Sequence, residues 1–84
     1  MFIRRTSDFE DALKRLPKGI QAIFRKQEKI FIDNWLDPRL HAKRVKELPG
    51  AFSMRITRRY RVLFYFGDDT AVFFAVGHRK DIYE

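Results

Sequence analysis

The chain has 84 residues and a mass of 10.2 kDa, which leaves room for one small domain and excludes a two-domain organisation. It is 45% hydrophobic and contains nine Phe, three Tyr and one Trp, so it is too apolar for a disordered tail. Eighteen Lys and Arg against eleven Asp and Glu give a net charge of +7, which favours a polyanionic partner such as nucleic acid or an acidic protein.

Several classes of site are excluded by residue types that the sequence lacks. It has no cysteine, which excludes a disulfide framework, a thiolate nucleophile and a Cys-based zinc site. It shows no Gly-rich phosphate loop and no metal-ligand spacing, so we expect no metal and no small-molecule cofactor. No segment resembles a signal peptide or reaches the ~20 apolar residues of a membrane span, and we therefore expect a cytoplasmic protein with no membrane partner.

The first part of the chain has the pattern of one strand followed by two helices. Residues 2–6 are short and partly β-branched, which predicts a strand. Ser7 followed by Glu10 is a capping-box pattern and predicts a helix over residues 8–16. After a Pro-Lys-Gly turn, apolar residues at three- and four-residue spacing predict a second helix over residues 20–35. Because the turn is so short, we expect the two helices to be antiparallel.

The second part of the chain changes to a period of two, which is typical of strands. After a basic loop and a Leu-Pro-Gly turn, strands are predicted at residues 52–57, 60–66 and 70–77, the last two joined by a Gly-Asp-Asp turn. The order β-α-α-β-β-β predicts an α+β fold for residues 1–84, a single domain. In it, two N-terminal helices pack on a twisted, mainly antiparallel, four-stranded sheet.

The predicted strands bring basic residues to one face of this sheet. Side chains two apart on a strand share a face, so Ser53 and Arg55 are expected opposite the apolar residues of their strand. If the registers match, Arg61 joins Arg55, and Arg79 lies level with both. Such a group of guanidiniums is suited to gripping phosphate, although a basic face that is simply solvated is the alternative. The residues of the last strand expected to face the helices are Val72, Phe74 and Val76.

Motifs in the second half of the sequence resemble the RelE/ParE toxin superfamily of bacterial toxin–antitoxin systems. These motifs are Leu-Pro-Gly at 48–50, Ser-x-Arg-Ile-Thr at 53–57, Tyr-Arg-Val-Leu-Phe-Tyr at 60–65, Val-Gly-His-Arg at 76–79 and Asp-Ile-Tyr at 81–83. The resemblance implies a type II toxin that is either a RelE-like, ribosome-dependent mRNA endonuclease or a ParE-like DNA gyrase inhibitor without nuclease activity. An inactive basic binding module is a third possibility. The implied partners are a cognate antitoxin protein and, for the nuclease, mRNA on the ribosome with contacts to 16S rRNA.

The resemblance also implies which residues act. Arg55, Arg61, Arg79 and Tyr83 match functional positions of the RelE type, whereas Ser53 stands where that type has a second strand lysine. The implied reaction is metal-free attack of the ribose 2′-OH on the adjacent phosphorus. Arginine stays protonated, so the three arginines are expected to stabilise the phosphorane rather than to carry protons.

Proton transfer is assigned to two further residues. His78 is the expected proton acceptor because imidazole titrates near neutral pH, but strand alternation also allows it to point towards the helices. Tyr83 is expected to protonate the leaving oxygen or to stack on a base, and anchoring of the tail is its alternative role. The residues expected to bind RNA without taking part in chemistry are Lys43, Arg44, Lys46, Ser53 and Lys80.

Overall fold

A computed structural model describes residues 1–82 and has the predicted α+β class. In chain order the elements are β1 (Phe2–Arg5), α1 (Ser7–Lys14), α2 (Lys18–Asp33), a 3-10 turn (Pro38–Leu40), β2 (Lys43–Arg44), β3 (Ala51–Arg55), β4 (Tyr60–Gly67), β5 (Thr70–His78) and α3 (Arg79–Ile82). The strand β2 and the helix α3 are additions to the predicted order. Within residues 1–82, none of the helices combines the length and the hydropathy that crossing a membrane requires.

The sheet has five strands rather than the predicted four. Their order is β1-β5-β4-β3-β2, with β1 parallel to β5 and every other neighbouring pair antiparallel. The additional strand β2 pairs Lys43 with Ser53 and Arg44 with Phe52 at the edge of the sheet. Two exposed residues are too few to show an alternating pattern, so hydrophobic periodicity gave no signal for this strand.

Helix α1 begins one residue earlier than predicted and uses a different cap. The Thr6 Oγ1 accepts a hydrogen bond from the Phe9 backbone N–H at 3.1 Å, so Thr6 is the N-cap. The predicted capping box of Ser7 and Glu10 is therefore wrong. The Glu10 carboxylate instead accepts a hydrogen bond from the Arg5 guanidinium at 3.2 Å.

The two faces of the sheet bury clusters of very different size. The helix-side cluster includes five phenylalanines with no exposed surface, which are Phe9, Phe24, Phe31, Phe64 and Phe73. Their rings meet edge-on or tilted, a favourable geometry for aromatic pairs. The opposite face, called here the open face, carries a small cluster of Val45, Ala51 and Leu63 with Phe74, Ala75 and Ile82 against it.

A β-bulge in β5 changes which residues of that strand face the helices. Leu63 pairs with Ala75 but Phe64 pairs with Phe73, so Phe74 is an extra residue. The bulge shifts the alternation by one residue, as expected when two residues oppose one. Ala71 and Phe73 therefore join Val76 in the helix-side cluster. The prediction for Val76 is confirmed, whereas Phe74 packs in the open-face cluster and Val72 pairs with open-face Tyr65.

Candidate functional site

Two arginines face each other across neighbouring strands on the open face. Arg55 at the end of β3 pairs directly with Arg61 of β4, and Arg61 in turn pairs with Gly77 of β5. Directly opposed residues of antiparallel strands have Cα atoms about 4.5–5.5 Å apart and project to the same face. Like charges in this arrangement repel each other.

Arg61 is held from the adjacent turn. Its side chain is buried, and its Nη1 donates a hydrogen bond to the Thr57 carbonyl at 2.9 Å. The turn itself is fixed because the Ile56 N–H donates to the Tyr60 carbonyl at 2.9 Å and the Arg59 N–H donates to the Thr57 hydroxyl at 3.2 Å. The guanidinium of Arg61 is therefore positioned before any ligand arrives.

Arg55 is positioned from the helix layer through its backbone. The buried side chain of Gln27 in α2 donates one hydrogen bond to the Arg55 carbonyl at 3.0 Å and another to the Arg39 carbonyl at 3.3 Å. The sequence analysis missed this contact because Gln27 falls on the apolar stripe of its helix. A polar residue in a core position, where burial requires a hydrogen-bond partner, was the available signal.

Arg79 lies next to this pair at the start of α3. Its backbone N–H donates to the Arg59 carbonyl at 2.7 Å, and Ile82 at the other end of α3 packs against the open-face cluster. Gly77, the residue opposite Arg61, leaves space on the same face. Within residues 1–82, a Cβ added at Gly77 would meet no heavy atom within 4 Å beyond its chain neighbours. The open face thus carries Arg55 and Arg61 in one row with the gap at Gly77.

His78 lies on the other side of the sheet from Arg55 and Arg61. It pairs with Tyr60, their ring centroids are 5.4 Å apart, and Tyr60 packs against the helix-side cluster. The His78 Nδ1 accepts a hydrogen bond from the Lys80 backbone N–H at 3.1 Å, so the imidazole caps α3. Lys80 itself is exposed. Tyr83 lies outside the described residues.

The residues predicted to bind RNA divide between the two faces. Lys43 pairs with the buried Ser53 and so shares the open face with Arg55. The guanidinium carbon of Arg44 instead lies 5.5 Å from the centroid of the Phe52 ring, which belongs to the helix side. Lys46 is exposed and lines, with these two basic residues, a surface pocket of about 270 Å³.

The sequence analysis missed two further cations beside the arginine pair. Arg58 and Arg59 are exposed in the turn between β3 and β4, immediately before the strand that carries Arg61. The available signal was the Thr-Arg-Arg-Tyr-Arg run at residues 57–61, of which only Arg61 was predicted to act. These residues extend the positive charge towards the end of the sheet.

The ion pairs of the described residues lie away from Lys43, Arg55 and Arg79. The ion pairs formed among residues 1–82 all involve Arg5 or Arg39, and none includes Lys43, Arg55 or Arg79. The same part of the chain has no group of three His, Cys, Asp or Glu side chains able to hold a metal ion. The arrangement is therefore chemically suited to binding an anion through arginine and lysine.

Comparison with solved structures identifies the fold. The chain is similar to YafQ from E. coli strain BL21(DE3), with a TM-score of 0.77 and 13% identity over 93% of this chain and 92% of that one. It is similar to the RelB-RelE antitoxin-toxin complex from Methanococcus jannaschii, with a TM-score of 0.70 and 28% identity over 95% and 94% of the two chains. A YoeB dimer from Staphylococcus aureus gives a TM-score of 0.76 and 17% identity over 94% and 97%.

No protein-family model matches the chain, and a search of curated proteins finds no significant match. The chain has the fold shared by RelE, YafQ and YoeB, and the resemblance to the RelE/ParE toxin superfamily that the sequence motifs indicated is confirmed. The chain therefore has a RelE-like fold.

Proposed function

We propose that the chain is the toxin of a type II toxin–antitoxin pair and that it cleaves mRNA on the ribosome. The observation that carries this proposal is the Arg55–Arg61 pair, two like charges held opposite each other on an open sheet face. Guanidiniums held on one face are suited to donating hydrogen bonds to the oxygens of one phosphodiester. The similarity to a RelE toxin at 28% identity supports the choice of RNA as substrate class.

The proposed reaction needs no cofactor. The ribose 2′-OH gives up its proton to solvent as its oxygen forms a bond to phosphorus, the bond from phosphorus to the 5′-oxygen breaks, the 5′-oxygen takes up a proton, and a 2′,3′-cyclic phosphate remains. Arg55, Arg61 and Arg79 donate hydrogen bonds to the non-bridging oxygens, where negative charge grows in the transition state. Preorganised donors of this kind are typically worth about 10²–10³ in rate each.

In this proposal the leaving 5′-oxygen takes its proton from the tail, and solvent accepts the proton of the 2′-OH. Tyr83 is the proposed proton donor to the leaving 5′-oxygen, or the ring on which a base stacks. His78 acts as a positioning residue, because it lies on the helix side and its Nδ1 already accepts the Lys80 N–H. Its contribution is to hold α3, and with it Arg79, beside the arginine pair.

A cognate antitoxin is the proposed protein partner. Solved structures of similar fold include a RelB-RelE antitoxin-toxin complex and the E. coli DinJ-YafQ toxin-antitoxin complex, the latter with a TM-score of 0.79. The net charge of +7 and the exposed cations of the open face favour an acidic, extended partner segment that covers this face.

The test compares the two targets that the resemblance leaves open. Purified protein is incubated with ribosomes programmed with a defined mRNA and, separately, with DNA gyrase and relaxed plasmid. We expect cuts at the ribosomal A site that disappear in the Arg61→Ala variant, with supercoiling unaffected. Arg25→Ala, which removes an exposed arginine from α2, is the matched control and keeps wild-type cleavage. Intact mRNA together with inhibited supercoiling would overturn the nuclease and establish a ParE-like inhibitor.

A further inference from the structure

Lys43 and Ser53 form an unexpected combination on the open face. Ser53 is almost completely buried in the middle of β3, and its partner across the sheet edge is the exposed Lys43 of β2. Because the serine side chain is small, the side chains of neighbouring residues form the surface above it. The long, flexible lysine side chain is able to extend over that surface towards Arg55.

The faces of Lys43 and Arg44 are fixed by independent contacts. Val45, two residues after Lys43, belongs to the open-face cluster with Leu63, which confirms the face of Lys43. Arg44 lies over Phe52, whose ring stacks on Phe64 at 5.6 Å in the helix layer. Two adjacent, exposed cations of the same strand therefore project to opposite faces.

The spacing places Lys43 beside the arginine pair but not within it. Lys43 is one strand across and two residues along from Arg55, which corresponds to about 8 Å between Cα atoms. Arg61 is one strand farther away. A cation at this separation lies beyond the group that Arg55 and Arg61 grip together, and is suited to the next charge along a chain-like anion.

The charge of Lys43 is available to a ligand. Glu47 lines the same 270 Å³ pocket, yet among residues 1–82 no carboxylate oxygen lies within ion-pair distance of the Lys43 ammonium. The pocket also includes Lys46, so positive charge continues along the sheet edge. An ammonium group binds phosphate as a compact point charge and makes no demand on its orientation.

We propose that Lys43, extending over Ser53, forms a second phosphate subsite that holds the phosphate next to the one gripped by Arg55 and Arg61. This inference rests on the proposed function in taking an RNA strand as the ligand. The arginine pair holds the scissile phosphate and Lys43 holds its neighbour, so that the strand lies across β4, β3 and β2. Arg44 has no part in this subsite.

The test uses short oligonucleotides to determine how many phosphates the protein binds. The ligands are a trinucleotide made uncleavable by 2′-O-methyl groups and the same trinucleotide with one of its two linkages replaced by a neutral methylphosphonate. Binding to wild type, Lys43→Ser and Arg44→Ser is followed by NMR titration at several salt concentrations. Both substitutions remove one charge from an exposed residue of β2, so the pair is matched.

We expect wild type to bind the doubly charged trinucleotide about five- to tenfold more tightly than the singly charged one, as for one lost charge-assisted contact. Lys43→Ser abolishes this preference and reduces the slope of log affinity against log salt by about 0.7, the value for one phosphate of a single strand. Arg44→Ser keeps the preference. Equal preferences in wild type and Lys43→Ser would overturn the subsite.

The result of this test can be distinguished from the result of the test of the proposed function. Cleavage of unmodified mRNA by wild type tests the nuclease, whereas the trinucleotide preference needs no cleavage. If the protein shows the Lys43-dependent preference but cuts no RNA, that result would overturn the proposed nuclease activity and support the subsite. A chain that cuts mRNA while the preference survives Lys43→Ser would overturn the subsite alone.

Discussion

At the scale of single residues, three positions in one cross-strand row have different roles on the open face. Arg55 and Arg61 supply charge, and Gly77 supplies room in front of Arg61. Arginine contributes planar, permanently charged donors, which lysine or histidine does not match. Glycine weakens a strand interior, so its presence here fits the proposed approach of a substrate group.

Filling the gap at Gly77 is expected to separate activity from stability. In Gly77→Val, the added side chain occupies the space in front of Arg61, so mRNA cleavage falls by at least about tenfold, a loss of the size given for small misplacements. The free energy of unfolding is unchanged or rises, because valine favours strands. Cleavage assays and urea unfolding measure the two effects.

Gly67→Val is the matched control, since a Cβ at Gly67 also meets no heavy atom within 4 Å among residues 1–82 and lies at the far end of β4. It keeps wild-type cleavage. Equal activity of the Gly77 and Gly67 variants would show that no substrate group approaches Gly77.

At the scale of elements, periodicity predicted both long helices and the three long strands, because burial on one face dictates their pattern. Periodicity failed where local contacts determine the structure. The edge strand β2 has only two residues, and the extra residue Phe74 reverses the alternation in β5. The helix α3 depends on the His78 side chain and on packing of Ile82, neither of which a pattern shows.

The candidate site was predictable to the same extent as the strands that carry it. Arg55 and Arg61 follow from alternation together with a matched register, which the hairpin turn sets. Gln27, Arg58 and Arg59 were missed because their roles depend on a long-range hydrogen bond and on a turn. The placement of His78 stayed open in the sequence and is decided by its pairing with Tyr60.

The link between α2 and β3 predicts a substitution with two effects. Gln27→Leu leaves the Arg55 and Arg39 carbonyls without their donor and lowers the free energy of unfolding by about 1–3 kcal/mol. It also lowers cleavage in the fraction that remains folded, because the end of β3 loses its support. Gln21→Leu, which removes a 2.9 Å hydrogen bond to the Leu16 carbonyl, destabilises the protein without affecting folded-state cleavage. Identical behaviour of the two variants would contradict the positioning role.

The 3-10 turn at Pro38–Leu40 predicts a dependence on acid. Arg39 lowers the pKa of Asp37 to about 2, because its guanidinium and backbone N–H both donate hydrogen bonds to that carboxylate. A carboxyl whose pKa is lower in the folded than in the unfolded chain stabilises the fold above the unfolded pKa. That contribution is lost as pH falls from about 4 to about 2.

Urea unfolding between pH 5 and about pH 2 measures this effect. Asp37→Asn has no carboxylate to titrate, so its free energy of unfolding falls less steeply over this range than that of wild type. Parallel pH profiles would contradict a role for the Asp37 charge in the folded state.

At the scale of the whole molecule, a small domain carries a positively charged face on a sheet whose other side is tightly packed. The apolar helix-side cluster fixes the strands, and the strands fix the cations. An anionic partner lowers the repulsion among these cations, so substrate and antitoxin are expected to compete for the same face. The chain thus has the fold of RelE, YafQ and YoeB and carries these cations on its open face.

The most direct test of the central claim is the single-turnover rate of mRNA cleavage on programmed ribosomes by Arg55→Ala, measured with its free energy of unfolding. Removing Arg55 takes away one proposed donor to the scissile phosphate and leaves its cross-strand partner Arg61 in place. We predict that cleavage falls by about 10²–10³ while the free energy of unfolding changes by less than about 1 kcal/mol. Cleavage at the wild-type rate, or a loss fully explained by unfolding, would contradict the claim.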